Sequence, residues 1–218
     1  METEFFKTDD GIYHKIETDY DSDPLNPRKD FDNLGKMVFK KQLRYSLGDI
    51  QTDEFAEFFE DELKEIDSDI CLNKLTEKQL FDIWSKHQFF VLPINIFEHS
   101  NIVLHPGTLN TRTEKWLDGS NIEEITNSGF IYVSKDNEEV QEYLKEHSEE
   151  ETKQWIEKVF KGEIELYSQY VSGEVYIITD SIFNPKTLKW DKEQKVFSYY
   201  GSEIEYIKDN LVLENIFL

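Results

Sequence analysis

The stretch from Ser148 to Val171 constrains the fold of this chain most. Trp155, Ile156, Val159, Phe160, Ile164, Tyr167 and Val171 recur at three- and four-residue intervals, which places them on one face of a long helix. Ser148 followed by Glu151 forms the capping-box pair that would start it. A stripe of that length has to be buried against another layer, so the rest of the chain must supply one. Gly162 interrupts the helix at a cost of about 1 kcal/mol relative to alanine, and a bend or a close contact is expected there.

Strand patterns provide the second layer. Tyr13 to Tyr20 is rich in β-branched and aromatic residues, and Met37 to Tyr45 reads as a second strand ended by Ser46-Leu47-Gly48-Asp49. Between them Pro24 and Pro27 fix φ and remove donors, so Asp21 to Gly35 is expected to be an ordered loop. Phe89 to Phe97 and Asn101 to His105 form a strand pair around Glu98-His99-Ser100. Gly129 to Ser134, Glu174 to Thr179 and Val196 to Tyr200 are further strands, with a turn at Asn184-Pro185.

Helical spacing begins again from Thr52, with Asp53 able to cap and Phe55, Phe58, Phe59, Leu63 and Ile66 on one side. Thr76 and Gln79 form a capping box for a helix carrying Leu80, Ile83 and Trp84. Asp136 opens another with Val140, Tyr143 and Leu144, and Ser202 to Asn210 suggests a short one. Residues 108–128 are polar and irregular, a long loop or excursion. Strands and helices interspersed with hairpin-like links predict an α+β fold. The expected form is one compact domain over 1–218, a mixed, mainly antiparallel sheet packed with several amphipathic acidic helices.

Charge bears on partners. Forty-six acidic residues against 24 Lys plus Arg leave the 218-residue chain at −22, well beyond the magnitude of about 2–8 that keeps a small domain soluble. That surplus disfavours gripping nucleic acid or an anionic membrane and favours a basic protein partner. An aromatic fraction of 14% supplies a core and argues against disorder. Cys71 is the only cysteine, so no intrachain disulfide forms. The acidic N-terminal residues lack a signal-peptide pattern, and no window approaches the roughly 18 apolar residues of a membrane span. A soluble protein of the cytoplasm is expected.

Several residue constellations bear on chemistry. Asp19, Asp21, Asp23 and Asp30 have the spacing of oxygen ligands in a calcium loop, but Pro24 stands where the sharp turn needs glycine. Asx-turns, with Arg28 paired to a nearby carboxylate, are the simpler reading, so no cofactor is expected; Mg²⁺ or Ca²⁺ at these aspartates is the alternative. His14, His87, His99, His105 and His147 are scattered without metal-ligand pairing. The acidic neighbourhood of Cys71 dulls its thiol. No phosphate loop, dinucleotide fingerprint or nucleophile elbow occurs, so an enzyme is not expected. Two acidic helix faces stand out, and Glu57, Glu60, Asp61 and Glu65 on the first and Glu142, Glu146 and Glu150 on the second are the candidate partner contacts.

Segments in a consistent order carry a family likeness. They are Asp21-Ser22-Asp23-Pro24-Leu25-Asn26-Pro27-Arg28, Asp32-Asn33-Leu34-Gly35-Lys36-Met37-Val38 and Arg44-Tyr45-Ser46-Leu47-Gly48-Asp49. Leu92-Pro93-Ile94 with His99-Ser100, Gly129 to Lys135, Gly162-Glu163 with Tyr167 and Tyr170, Gly173 to Tyr176 and Tyr199-Tyr200-Gly201 continue them. The pattern resembles a family of phage and mobile-element proteins, mostly of unassigned function. It is associated with counter-defence, including inhibition of type II CRISPR nucleases. Phe39-Lys40-Lys41 and Val196-Phe197-Ser198 depart from the family's aromatic-His-basic and Cys-Trp-Gly runs.

The resemblance and the charge together imply an inhibitor that binds a basic nucleic-acid surface of a host nuclease or defence protein. It would not bind nucleic acid alone. The alternative is a metal-dependent enzyme or a nucleotide sponge built on the Asp21 to Asp32 loop, with Asn26, Arg28, Asp32 and Asn33 as its motif residues.

Overall fold

The structure is a computed structural model and describes residues 2–7, 11–41, 46–58, 75–98, 101–107 and 124–200. The chain is α+β, with two sheets, and its contacts divide it into two compact units. One comprises the residues up to Asn26 together with those from Gln169 onward; the other is Pro27–Ser168.

The first unit holds an antiparallel sheet in the order β1-β2-β8-β9, from β1 Glu2–Lys7, β2 Tyr13–Tyr20, β8 Val175–Asn184 and β9 Lys189–Tyr200. On β2 the side chains of His14, Ile16 and Thr18 are buried in strict alternation, the period of a strand with one covered face. Leu188, at a φ of 54°, closes the turn between β8 and β9, where Asn184 Oδ1 accepts from the backbone N–H groups of Lys186 and Thr187.

The second unit holds a sheet in the order β4-β3-β7-β5-β6, built from β3 Lys36–Lys40, β4 Ile50–Thr52, β5 Phe89–Glu98, β6 Ile102–Pro106 and β7 Glu124–Ser134. Among the described residues only β3 and β4 run parallel. Its helices are α1 Pro27–Asp30, α2 Phe55–Phe58, α3 Glu77–His87, α4 Glu138–Leu144 and α5 Glu149–Ser172, the last turn of which, from Gln169, is counted with the first unit. The Thr76–Gln79 box caps α3 as the sequence predicts.

The central strand β7 separates two packing layers. Phe130 is fully buried, with ring centroids of Phe55, Phe81 and Trp84 at 5.0, 5.4 and 5.7 Å, so α2 and α3 cover that face. Its neighbour Ile131 points the other way, where a Cβ added at Gly35 would meet both Ile131 and Phe160 of α5. Ile156, Phe160, Ile164 and Tyr167 are the buried stripe of α5, supplemented by Thr152 and Ser168. The helix ends where the N–H groups of Gly173 and Glu174 bond to the carbonyls of Tyr170 and Gln169, a Schellman cap with Gly173 at φ 78°.

Several expectations need correction. Asp21 to Gly35 contains the short helix α1, β7 begins at Glu124 within the segment read as irregular, and β1 and β4 were not foreseen. Gly162 is exposed with nothing near its missing side chain, so no close contact occurs there. The rest of the first acidic helix, the 108–123 excursion and the 202–210 helix lie outside the described residues.

These two glycines give opposite expectations. Gly35→Ala would place Cβ 2.5 Å from Ile131 and 2.7 Å from Phe160, and overpacking of this kind costs about 1–3 kcal/mol. Gly162→Ala in open space should stabilise the helix by about 0.5–1 kcal/mol. Urea denaturation of the two variants checks both signs.

Candidate functional site

Two features of the second unit answer the candidates read from sequence: a buried arginine hub and an acidic surface. The hub begins with α1, which carries Arg28 inward with only 3% of its side chain exposed. A guanidinium has five N–H donors in a rigid fork, and here every one has a protein acceptor. Nε and Nη2 grip Asp49 at 3.2 and 2.5 Å, and Nη2 also donates to the Gly35 carbonyl at 2.6 Å. Nη1 donates to Asn33 Oδ1 at 2.9 Å and to Glu163 Oε2 at 2.7 Å.

The acceptors are themselves fixed. Glu163 Oε1 receives the backbone N–H groups of Leu34 and Gly35, Asp49 Oδ2 receives that of Met37, and the Asn33 amide donates to the Pro27 and Phe31 carbonyls. Burial opposes the charge on Arg28, but hydrogen bonds and attraction from Asp49 and Glu163 outweigh it and hold the guanidinium above its ordinary pKa. Tyr167 completes the arrangement by accepting the N–H of Gly48 at 2.9 Å. Gly48 sits at φ 69° with Phe39 and the Met37 carbonyl where a Cβ would go, so the turn before Asp49 requires glycine.

This geometry revises one expectation about Arg28. Its carboxylate partners are 21 and 135 residues away rather than in its own loop. Of the motif-loop residues, Arg28 and Asn33 are brought together, Asp32 is exposed and Asn26 is half-buried ahead of α1. A shallow hollow of about 410 Å³ borders Arg28, Asp32 and Lys36, but the guanidinium that would hold an anion there has its donors engaged inside the protein.

Of the aspartates with metal-like spacing, Asp21 forms a turn and Asp19 lies within β2. Asp19 Oδ1 accepts from the Tyr20 N–H and Asp21 Oδ1 from the Asp23 N–H, the latter an Asx-turn. Asp30 is the exposed last residue of α1. Among the described residues no three His, Cys, Asp or Glu side chains are grouped to hold a metal ion.

One pair was not foreseen. In the first unit His14 Nδ1 lies 3.1 Å from both carboxylate oxygens of Asp180, with the two residues 4% and 6% exposed. The strand register places Ile16 opposite Asp180, so His14 is a diagonal neighbour on the same face. Ser181, next along the strand, points to the opposite face and supplies no nucleophile to this pair. The pair ties β2 to β8 across a covered face of the first sheet.

The acidic surface is the α4–α5 junction. Residues 136–151 contain eight carboxylates and one lysine, and all eight are exposed. Asn137 caps α4 through its side-chain oxygen, Val140 anchors the helix with no exposure, and Tyr143 stacks between His147 at 3.9 Å and Trp155 of α5 at 4.5 Å. That stack ties the turn between the helices to α5 and so fixes where the carboxylates stand. The Ser148 hydroxyl and N–H both donate to Glu151, holding its carboxyl below the ordinary glutamate pKa.

Of the predicted contacts here, Glu142 and Glu146 have no cationic side chain within ion-pair distance among the described residues, and Glu150 accepts only a long bond from Gln154 at 3.4 Å. Glu149 is paired with Lys135 at 3.2 Å. Glu57 falls in α2, whereas Glu60, Asp61 and Glu65 lie outside the described residues.

No family model matches the chain, and no match was found among curated proteins or solved structures. Among the described residues no helix is long and apolar enough to cross a membrane.

If the hub is structural, keeping the charge is not enough. Arg28→Lys retains a cation but offers three donors to five acceptors, and each buried acceptor left unsatisfied costs about 1–3 kcal/mol. The variant should therefore melt well below the parent, as thermal denaturation followed by circular dichroism would record.

Proposed function

We propose that this protein is a counter-defence inhibitor that binds the basic nucleic-acid surface of a host nuclease or other defence protein, with the α4–α5 carboxylates taking the place of phosphates. The observation that carries the reading is the unneutralised acidic surface around Glu142, Glu146 and Glu150. Its backbone is fixed by an aromatic stack and two helix caps, so the charges are presented in a set arrangement. Residues three or four apart on a helix have Cβ atoms about 5–6 Å apart, and duplex DNA carries one charge per ~1.7 Å of axis. That spacing holds for Glu138, Glu139 and Glu142 on α4, whereas Glu146 stands in the turn after α4 and Glu150 in the first turn of α5. Glu142, Glu146 and Glu150 therefore do not share the single helix face predicted from sequence, and the carboxylates offer a coarser, interrupted track to lysines and arginines suited to phosphate.

The energetics favour binding over catalysis. Exposed carboxylates attract a cationic groove at long range and speed encounter, and the groove's counterions are released on contact. The buried guanidinium of Arg28 is engaged by the protein's own carboxylates, Asp49 and Glu163. Nothing in the arrangement of the Asp21 to Asp32 loop favours the enzyme or sponge alternative.

The test is co-purification from a host lysate with the tagged full chain. The expected capture is a nucleic-acid-binding protein that is released by raised salt, displaced by added duplex DNA, and weakened about tenfold or more by combining Glu142→Lys, Glu146→Lys and Glu150→Lys. Capture indifferent to salt, DNA and charge reversal, or no capture, would overturn the reading.

A further inference from the structure

The three stacked rings at the α4–α5 junction leave one end of the stack exposed. Tyr143 lies between Trp155 and His147, with centroids 4.5 and 3.9 Å away and planes tilted by only 7° and 11°. Trp155 is half-buried, whereas His147 is exposed. Since Tyr143 covers one face of the imidazole, what is exposed is the opposite face and the outer rim. His147 Nδ1 donates to the Tyr143 carbonyl at 3.1 Å, so the ring is held flat on the tyrosine and its outer face has a set orientation before any partner arrives. Among the described residues Tyr143 is the one ring in contact with it.

The charges around this face are mostly negative. Glu146 precedes His147 in the chain, and Glu151 accepts from both the N–H and the hydroxyl of Ser148, the residue that follows it. From Lys135 to Trp155 eight carboxylates outnumber three lysines, Lys135, Lys145 and Lys153, and Lys135 is itself paired with Glu149. A flat π surface beside anions is what a nucleotide presents, a base next to its phosphate, and proteins that grip nucleic acid answer it with side chains that stack.

We infer that the outer face of His147 receives an arginine of the partner protein, its guanidinium stacked on the imidazole and its N–H fork turned to the flanking carboxylates. Chemistry selects this occupant. Lysine brings charge without a plane, and an aromatic side chain brings a plane without charge. A nucleobase arrives on a polyanion that the carboxylates repel. A guanidinium is planar, charged and weakly hydrated, stacks on aromatic faces and pairs with carboxylates through two N–H groups at once. The inference rests on the proposed function for the existence of a basic partner and adds which of its side chains is read.

The probes are two acetylated, amidated peptides, one alternating arginine with glycine and the other lysine with glycine. Each is titrated by NMR into the full chain at low salt and about pH 8, above the range in which ordinary imidazoles take up a proton. The expected result is tighter binding of the arginine peptide by about three- to fivefold, with arginine side-chain protons shifted upfield by the ring current and in contact with the His147 ring protons. His147→Ala should bring the two peptides level, and His147→Phe, which keeps a flat face, should preserve the difference. The ratio is taken within one protein, so any loosening of the carboxylates affects both peptides alike. A tyrosine–glycine peptide should not bind.

Equal affinity for the two basic peptides in the parent, or a preference unchanged in His147→Ala, would overturn the stacked arginine and leave the proposed function standing, because both peptides would still report the acidic surface. Stronger binding of the tyrosine–glycine peptide would overturn the cationic occupant. Binding of neither basic peptide would overturn this site and count against the proposed function as well. The arginine preference together with an empty lysate capture would support this site and count against the proposed function.

Discussion

The buried guanidinium of Arg28 is the interaction on which the Pro27–Ser168 unit depends. It joins α1, the loop before β3, the turn before β4 and the middle of α5 through one side chain, at five hydrogen bonds. A lone buried charge would cost several kcal/mol, and only close pairing with further hydrogen bonds repays it. Both conditions are met, since Asp49 and Glu163 take the charge while backbone N–H groups occupy their remaining oxygens. The long helix is therefore placed against the sheet by polar specificity at Glu163 and by apolar packing at Ile156, Phe160 and Ile164.

This division of labour explains how so acidic a chain keeps a defined interior. Two of its carboxylates are neutralised where burial demands it, while those of the α4–α5 junction are left exposed and largely unpaired. Stacked Tyr143, His147 and Trp155 hold the junction with apolar contact that salt does not screen. The surface charge can then repel and attract without loosening the helices that carry it, which is the physical condition for a protein whose proposed work is to present charge.

Much of the fold was legible because the signals are local. The Ser148–Glu151 and Thr76–Gln79 boxes and the strand β2 follow from neighbours within one or two turns and are found where expected; of the stripe expected on α5, Ile156, Phe160, Ile164 and Tyr167 are buried, while Trp155, Val159 and Val171 are half-buried. The failures are also instructive. β4 is three residues long and owes its existence to pairing with β3, and β1 reads as a charged run until it pairs with β2. The hub was hidden for a related reason, because Arg28 and Glu163 are 135 residues apart and no local pattern joins them. A signal was nevertheless present: Arg28, Asn33, Gly35, Gly48, Asp49, Glu163 and Tyr167 all lie in the segments that carry the family likeness, and the fold brings them to one place. The acidic surface, by contrast, could be read as charge but not as geometry until the stack fixed α4 against α5.

The most direct test of the hub is a double-mutant cycle in urea with Arg28→Met, Glu163→Gln and the pair together. If the guanidinium and carboxylate stabilise each other as the geometry requires, the double variant will be more stable than the sum of the single losses by at least about 1 kcal/mol. Losses that add within about 0.5 kcal/mol would contradict the account, because each residue would then act alone.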